Sequence, residues 1–343
     1  RDRLRSRGLG DVYKRQQEER LRDYVNPFVG TDGYGNIYPG SQIPFGGIQI
    51  SPDTDNHFYD AASGYKYSHP TIMGFSLSHL SGTGIPDLGD FLFVPGTGEI
   101  KSIPGTHENP DEGYRSRYSH EKEWASPGYY GVELIDYGVK AEMTSACRSG
   151  IFRFTYPASD KAFILVDLNH TLWQSCPWSN LRQLNDSTIV GYKLVKGWGP
   201  ERHIYFAATF SRKLEHFYIL QDGKPVIYNT KRFRSHKEAW GEKLMACFTF
   251  STHTGEEVYV KTAISGVSTE GALANINELD GLTFESVKSR AEELWEKELG
   301  KYHVAGDLKT KRTFYTSAYH AALHPFVFQD ADGRYRELDK NIG

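Results

Sequence analysis

Cysteine is scarce: Cys147, Cys176 and Cys247 are the only three in 343 residues. An odd, sparse set excludes a small domain stapled by disulfides and leaves a single bridge open. There is no CxxC or CxxxC spacing, and the 13 histidines form no HExxH, so no zinc motif is signalled. No apolar run approaches the ~18 residues of a membrane span. Charge of one sign is also lacking: 43 acidic against 40 basic residues give −3, which points to no polyanionic partner and to no nucleic acid. The basic opening 1–20 lacks both apolar periodicity and the apolar stretch of ~7–15 residues that a signal peptide requires. It reads like translated adaptor sequence and is set aside as a non-native leader; on that reading the native start, a secretion signal included, lies elsewhere.

Aromatic residues are abundant. With 22 Tyr, 19 Phe, 6 Trp and 34 Gly, the composition suits β-sheet packing and flat faces on which sugar rings stack. Core packing is the ordinary role for most of these rings. From Tyr24 to about Gly266, short β runs are broken by Gly, Pro, Asn and Asp. The pattern predicts strands at 43–50, 91–94, 130–136, 139–144, 151–156, 162–167, 188–195, 204–210, 244–251 and 258–265. Closely spaced strands without intervening helices indicate a mainly β chain built on an antiparallel β-sandwich, over 24–270. After Asp280 the period changes. Residues 284–299 place Val287, Ala291, Leu294 and Leu299 on one face, the spacing of an amphipathic linker helix within 280–300. A second helix is predicted over 309–323, from Phe314, Tyr315, Ala318, Tyr319 and Ala322, and Pro325 ends it. One helix and a loop cannot bury a core, so 305–343 reads as the start of a second, truncated domain. Its apolar face is then expected to be exposed, with aggregation or mobility after about Gly300.

Four segments carry a resemblance. The first is Val25 to Thr31 (VNPFVGT), with Tyr38-Pro-Gly40, Pro44-Phe-Gly46 and Ser51-Pro-Asp-Thr54. The second is Ser63 to Tyr67 (SGYKY), then Gly74-Phe-Ser76, His79 to Gly84 (HLSGTG) and Asp87 to Asp90 (DLGD). The third is Ser126 to Tyr130 (SPGYY) with Asp136-Tyr-Gly138. The fourth is His320 to Pro325 with Asp332 to Arg336 (DGRYR) and Asp339. Together they resemble glycoside hydrolase family 92, calcium-dependent exo-α-mannosidases, from about Tyr24 to Gly343. HLSGTG followed by DLGD is the most specific piece.

The resemblance implies a β-sandwich joined by helices to an (α/α)6 barrel, with the active site between them. It implies an inverting hydrolysis of terminal α-linked mannose on glycans, with Ca2+ beside the cleaved sugar, in a periplasmic or secreted protein. Inversion uses one carboxylic acid to protonate the leaving oxygen and a second carboxylate, ~6.5–9.5 Å away, to activate water. Calcium prefers 6–8 oxygen ligands and could hold two sugar hydroxyls. In the family the acid, the base and the calcium ligands come from the barrel, downstream of Gly343. No catalytic residue is therefore assigned in this chain, and the fragment is expected to be inactive alone.

Substrate contacts remain. His79, Ser81, Gly82, Thr83 and Gly84 could present N–H groups and hydroxyls to a sugar, or form a turn that satisfies its own backbone. Asp87 and Asp90 could accept from sugar hydroxyls or lock that loop, and loop support suits Asp90 better. The resemblance makes Asp339 a contact to the terminal mannose, with Arg336 pairing with it or with another acid. Trp124, Trp173, Trp178 and Trp198 are possible platforms, with core packing the default. Where α-1,2-specific members carry a Trp-Asp-Gly-Cys-like stretch, this chain has Tyr59-Asp60-Ala61-Ala62, so Tyr59 and Asp60 are the contributors expected to set linkage preference. Lys340-Asn341 is a second departure. Composition and strand pattern alone would equally suit a non-catalytic carbohydrate-binding module, but such a module has no need of the two helices. Another (α/α)6-type glycosidase or phosphorylase would lack the HLSGTG and DLGD loop.

Overall fold

The computed structural model describes residues 19–57, 59–227 and 237–343; the leader assigned to 1–20 lies almost wholly outside them. In chain order the early strands are β1 (Ser51–Asp53), β2 (Thr71–Ile72), β3 (Gly74–Ser76), β4 (Leu92–Thr97), β5 (Ser116–Arg117) and β6 (Glu123–Ser126). They are followed by β7 (Tyr129–Leu134), β8 (Val139–Ser145), β9 (Ser149–Tyr156), β10 (Ser159–Asp167), β11 (Ser175–Gln183) and β12 (Thr188–Lys196). The last six are β13 (Arg202–Phe210), β14 (His216–Gln221), β15 (Lys224–Pro225), β16 (Glu238–Gly241), β17 (Leu244–Thr252) and β18 (Glu256–Ser265). Two large antiparallel sheets result, ordered β1-β3-β4-β10-β17-β14-β15 and β16-β11-β12-β13-β18-β9-β8-β7-β6.

The alternation in β9 shows why the sheets stack. Phe152, Phe154 and Tyr156 point inward, and the core they enter also holds Phe75, Phe93 and Ile164 from the facing sheet. Ile151 points the other way yet is apolar, because helices cover the outer face of this sheet. Ile151 packs with Leu279, Phe284 and Val287, while Val190, Ala207 and Ala263 receive Ala272 and Ile276 from α1 (Thr269–Ile276).

The chain has a mainly β, antiparallel fold followed by helices, as the pattern predicts. Differences lie where backbone groups are claimed from outside a sheet. The strand expected at 43–50 is instead a turn with one bridge, Ser41 to Ile50. Phe45 N–H donates to the Ala322 carbonyl and accepts back from Val327 N–H at its own carbonyl, both at 2.9 Å, so this segment docks the helical region. Helix α2 spans Phe284–Leu299, opened by a capping box between Thr283 and Ser286. Its buried stripe is Val287, Ala291, Trp295 and Leu299; Trp295 takes the inward place expected of Leu294, which is exposed. Helix α3 spans Leu308–Ala321. Its Tyr315 and Tyr319 are buried with Tyr38, Trp295 and Leu323, so the apolar face expected to be exposed is packed against α2 and the sandwich. The three cysteines are free.

Candidate functional site

The loop 77–91 leaves β3 and returns into β4, and its neck is closed by its own polar groups. Ser78 Oγ donates to Asp90 Oδ2 at 2.6 Å and accepts from Asp90 N–H at 3.1 Å. Arg202 grips both oxygens of Asp90, at 2.6 and 3.0 Å, and Lys193 Nζ adds a contact of 3.1 Å. Asp90 is fully buried. Burial alone would raise its carboxyl pKa, but Arg202 and Lys193 outweigh it and hold the group well below the usual carboxylate range. The Asp90 carboxyl thus closes the neck of the loop.

His79, expected at the sugar, is also fully buried. Its Nδ1–H donates to the Gln49 carbonyl at 2.9 Å, and its Nε2 meets Asp53 Oδ1 at 2.8 Å. His170 Nε2 meets the other oxygen of Asp53 at 2.8 Å. Burial pushes Asp53 up, yet the two imidazoles bring its pKa well below normal. Lys193 then joins the two knots by donating to the His170 carbonyl at 2.6 Å.

Only the loop tip reaches the surface. Ser81 N–H donates to His324 Nε2 at 2.9 Å and Gly82 N–H to the Asn36 carbonyl at 2.7 Å, so neither is offered to a ligand. Thr83 Oγ1 donates to the Ile85 carbonyl at 2.6 Å, a self-satisfied turn. Gly82 and Gly84 are exposed with open space where a Cβ would lie. Asp87 accepts from Leu88 N–H at 2.7 Å and adds negative charge near Arg202. A narrow cavity of about 80 Å³ follows the seam below the loop, lined by Gln49, Arg202, His203, Phe326, Val327 and Phe328.

The other candidates sit on other segments. Tyr59 is half exposed in a left-handed backbone conformation, φ 65°. Asp60 is engaged by Lys66 and by His69 at 3.0 Å, and Lys66 foremost lowers its pKa. Among the described residues Arg336 pairs with no acid: its guanidinium donates to the carbonyls of Gly266, Val267 and Lys340 at 2.8, 3.0 and 3.0 Å. It therefore clamps the closing hairpin to the end of β18. Asp339 caps the hairpin tip, accepting from Asn341 N–H at 3.0 Å and Asn341 Nδ2 at 2.8 Å. Asn341, read as a neutral departure, is thus what orients Asp339.

The four tryptophans expected in the core are at the surface, Trp198 at 73% and Trp173 at 52% exposure; the deeply buried one is Trp295. Trp173 stands in a broad cleft of about 690 Å³ with His57, Asn169, Gln174 and Lys243. Residues missed from sequence are Asp53, His170, Lys193, Arg202 and His324. His324 and Asp53 carry a local signal, since they lie in the quoted 320–325 and 51–54 segments; the others meet only once the two sheets have stacked. Among the described residues, the single group of three or more His, Cys, Asp or Glu side chains with converging ligand atoms is Asp55, His69 and His107. Two imidazoles and one carboxylate do not fit the oxygen cage calcium prefers.

Two family models match the chain: "Glycosyl hydrolase family 92 N-terminal domain" over residues 24–265, and "Glycosyl hydrolase family 92 catalytic domain" over 271–343. A solved family GH92 α-mannosidase from Bacteroides thetaiotaomicron is 76% identical, with TM-score 0.93, covering 95% of this chain and 44% of that one. It has also been solved with mannoimidazole. A second B. thetaiotaomicron structure, a GH92 inverting mannosidase, shares the fold at 24% identity and TM-score 0.79, over 95% of this chain and 43% of that one. An uncharacterized secreted glycosidase of Arthroderma benhamiae is 25% identical over 335 residues, 90% of this chain and 42% of that protein. The chain thus spans less than half the length of these relatives.

Proposed function

The chain belongs to glycoside hydrolase family 92, and from that membership we propose that it forms the sandwich and first helices of an exo-α-mannosidase. The enzyme removes terminal α-linked mannose from glycans with inversion. One observation carries the reading in this chain: the HLSGTG loop is pinned from below by Asp90 and laid against His324, so its tip borders the segment that matches the catalytic-domain model.

The chemistry asks for an acid and a base facing each other across a sugar. Asp53 is buried between His79 and His170, and Asp90 is buried against Arg202 and Lys193, so neither serves. In this proposal both carboxylates, and the carboxylates that would hold calcium, lie downstream of Gly343, and no step is routed through calcium here. What this chain supplies is position. Gly82, Thr83, Gly84 and Asp87 face the terminal sugar at the loop tip, and Asp339 approaches it from the hairpin. Tyr59 and Trp173 flank the leaving group. The open space at Gly82 and Gly84 supports this, since a ring needs close approach to backbone there. We further propose that the enzyme works outside the cytoplasm, in keeping with the secreted relative; among the described residues no helix is long and apolar enough to cross a membrane.

The test is release of free mannose from α-linked mannobioses by the chain extended to the natural stop codon of its gene, with and without EGTA. Calcium-dependent release, with one disaccharide preferred, is expected. A folded extended protein that binds mannosides but releases none would replace the hydrolase with a binding module.

A further inference from the structure

Away from the HLSGTG loop, the segments 54–71 and 104–117 bring three histidines and two carboxylates together. Asp55 Oδ1 is spent on the N–H groups of Asn56 and His57 and on His57 Nδ1. Its Oδ2 faces His107 Nε2 at 3.5 Å. That is too long for a hydrogen bond, and His107 Nε2 is buried without a hydrogen-bond partner among the described residues. The rings of His69 and His107 lie 4.3 Å apart, and His69 Nε2 is 3.0 Å from Asp60 Oδ2. One ligand atom from each of Asp55, His69 and His107 falls within 4.8 Å of the others.

We propose that Asp55, His69 and His107 bind a divalent transition metal of the zinc class, with water in the fourth position. Zinc–ligand bonds of ~2.0–2.1 Å place tetrahedral ligand atoms ~3.3 Å apart, close to the 3.5 Å between Asp55 and His107, and the His69 ligand atom lies within 4.8 Å of both. The surroundings prepare the ligands. His107 Nδ1 lies 2.9 Å from Thr71 Oγ1, which also accepts from Arg115 at 2.9 Å. Arg115 also reaches His107 Nδ1 at 3.0 Å, and since a guanidinium only donates, Nδ1 accepts and a metal at Nε2 would displace the proton held there. His69 Nδ1 likewise meets Thr54 Oγ1 at 3.0 Å, leaving Nε2 toward Asp60. Two imidazoles suit zinc, cobalt or nickel and disfavour calcium, so this site is chemically separate from a calcium centre. It ties two loops together beside the Trp173 cleft, where His57 lies.

The experiment uses the whole chain stripped with EDTA and dialysed against Zn2+, Ca2+ or Co2+ alone. One Zn2+ per chain is expected, undiminished by excess Ca2+, and Co2+ should give the intense visible absorption of a tetrahedral centre. Asp55→Asn and His107→Gln should abolish that absorption with unchanged circular dichroism, while Thr71→Val weakens binding about ten- to a hundredfold. His216→Gln, on exposed β14, should change nothing. Absence of Zn2+ binding, or binding that survives both ligand variants, overturns the proposal. Should the variants fail to fold, anomalous scattering from Zn2+-soaked crystals of the unaltered chain decides: a peak at His69 and His107 supports the site and a peak elsewhere overturns it.

Discussion

Replacing Asp90 by Asn would leave Arg202 and Lys193 facing a neutral amide inside the protein. Breaking a buried pair in this way costs about 3–5 kcal/mol, so Asp90→Asn should lower the urea midpoint sharply. The same carboxyl gives an acid-side prediction. Its folded pKa is depressed, so the stability it contributes is present above the ordinary carboxylate pKa and is lost as pH falls through the folded value. His320 acts over a different window. Burial lowers its pKa to about 4, and its Nε2 is buried without a partner among the described residues. Between pH ~6.5 and 4 the unfolded chain therefore binds the extra proton, and stability should fall by on the order of 3 kcal/mol as pH drops through that range. His320→Gln should flatten that part of the urea-unfolding profile; an unchanged slope would show that His320 takes its proton without cost. At this scale the sequence was a partial guide. It singled out Asp90 and His79, but a residue's neighbours across sheets are not written beside it. Burial turned His79 from a surface contact into a buried partner of Asp53.

Helix α2 shows how far local pattern carries. Its limits and amphipathic character follow from 284–299 alone, because Thr283 caps the start and the apolar period is 3.6. Its depth of docking does not follow. Gly128, at φ 83°, lies against the helix, and a Cβ there would stand 2.7 Å from Ala291 Cβ. Gly128→Ala should therefore cost about 1–3 kcal/mol, from both the left-handed backbone and the clash. Gly255→Ala, at φ 80° with open space around it, isolates the backbone part and should cost less. Equal midpoints in urea for the two variants would remove the packing argument. Trp295 adds specificity by donating from Nε1 to the Gln42 carbonyl at 2.7 Å. Among strands, those with clean alternation were legible. Strand β11, with Pro177 and polar residues at most positions, and β16, only four residues long, were not.

On the scale of the whole molecule, the sandwich, α2 and α3 share one interface. Tyr38 from the first loops is buried with Trp295, Tyr315 and Tyr319. If the catalytic carboxylates lie downstream of Gly343, the 343-residue chain alone should release no mannose from mannobioses while remaining folded by circular dichroism. Turnover by this chain would place the acid and base within it. The sequence by itself determined the β-sandwich, the helices α2 and α3 and the family, because these rest on local periodicity and short contiguous motifs; it placed the change to helices after Asp280, whereas α1 already begins at Thr269. Tertiary structure alone decided which polar residues are buried supports and which face outward. Asp53, Asp90, Lys193 and Arg202 are brought together by the stacking of the two sheets, and the desolvation that fixes their surroundings exists only once the sheets have closed.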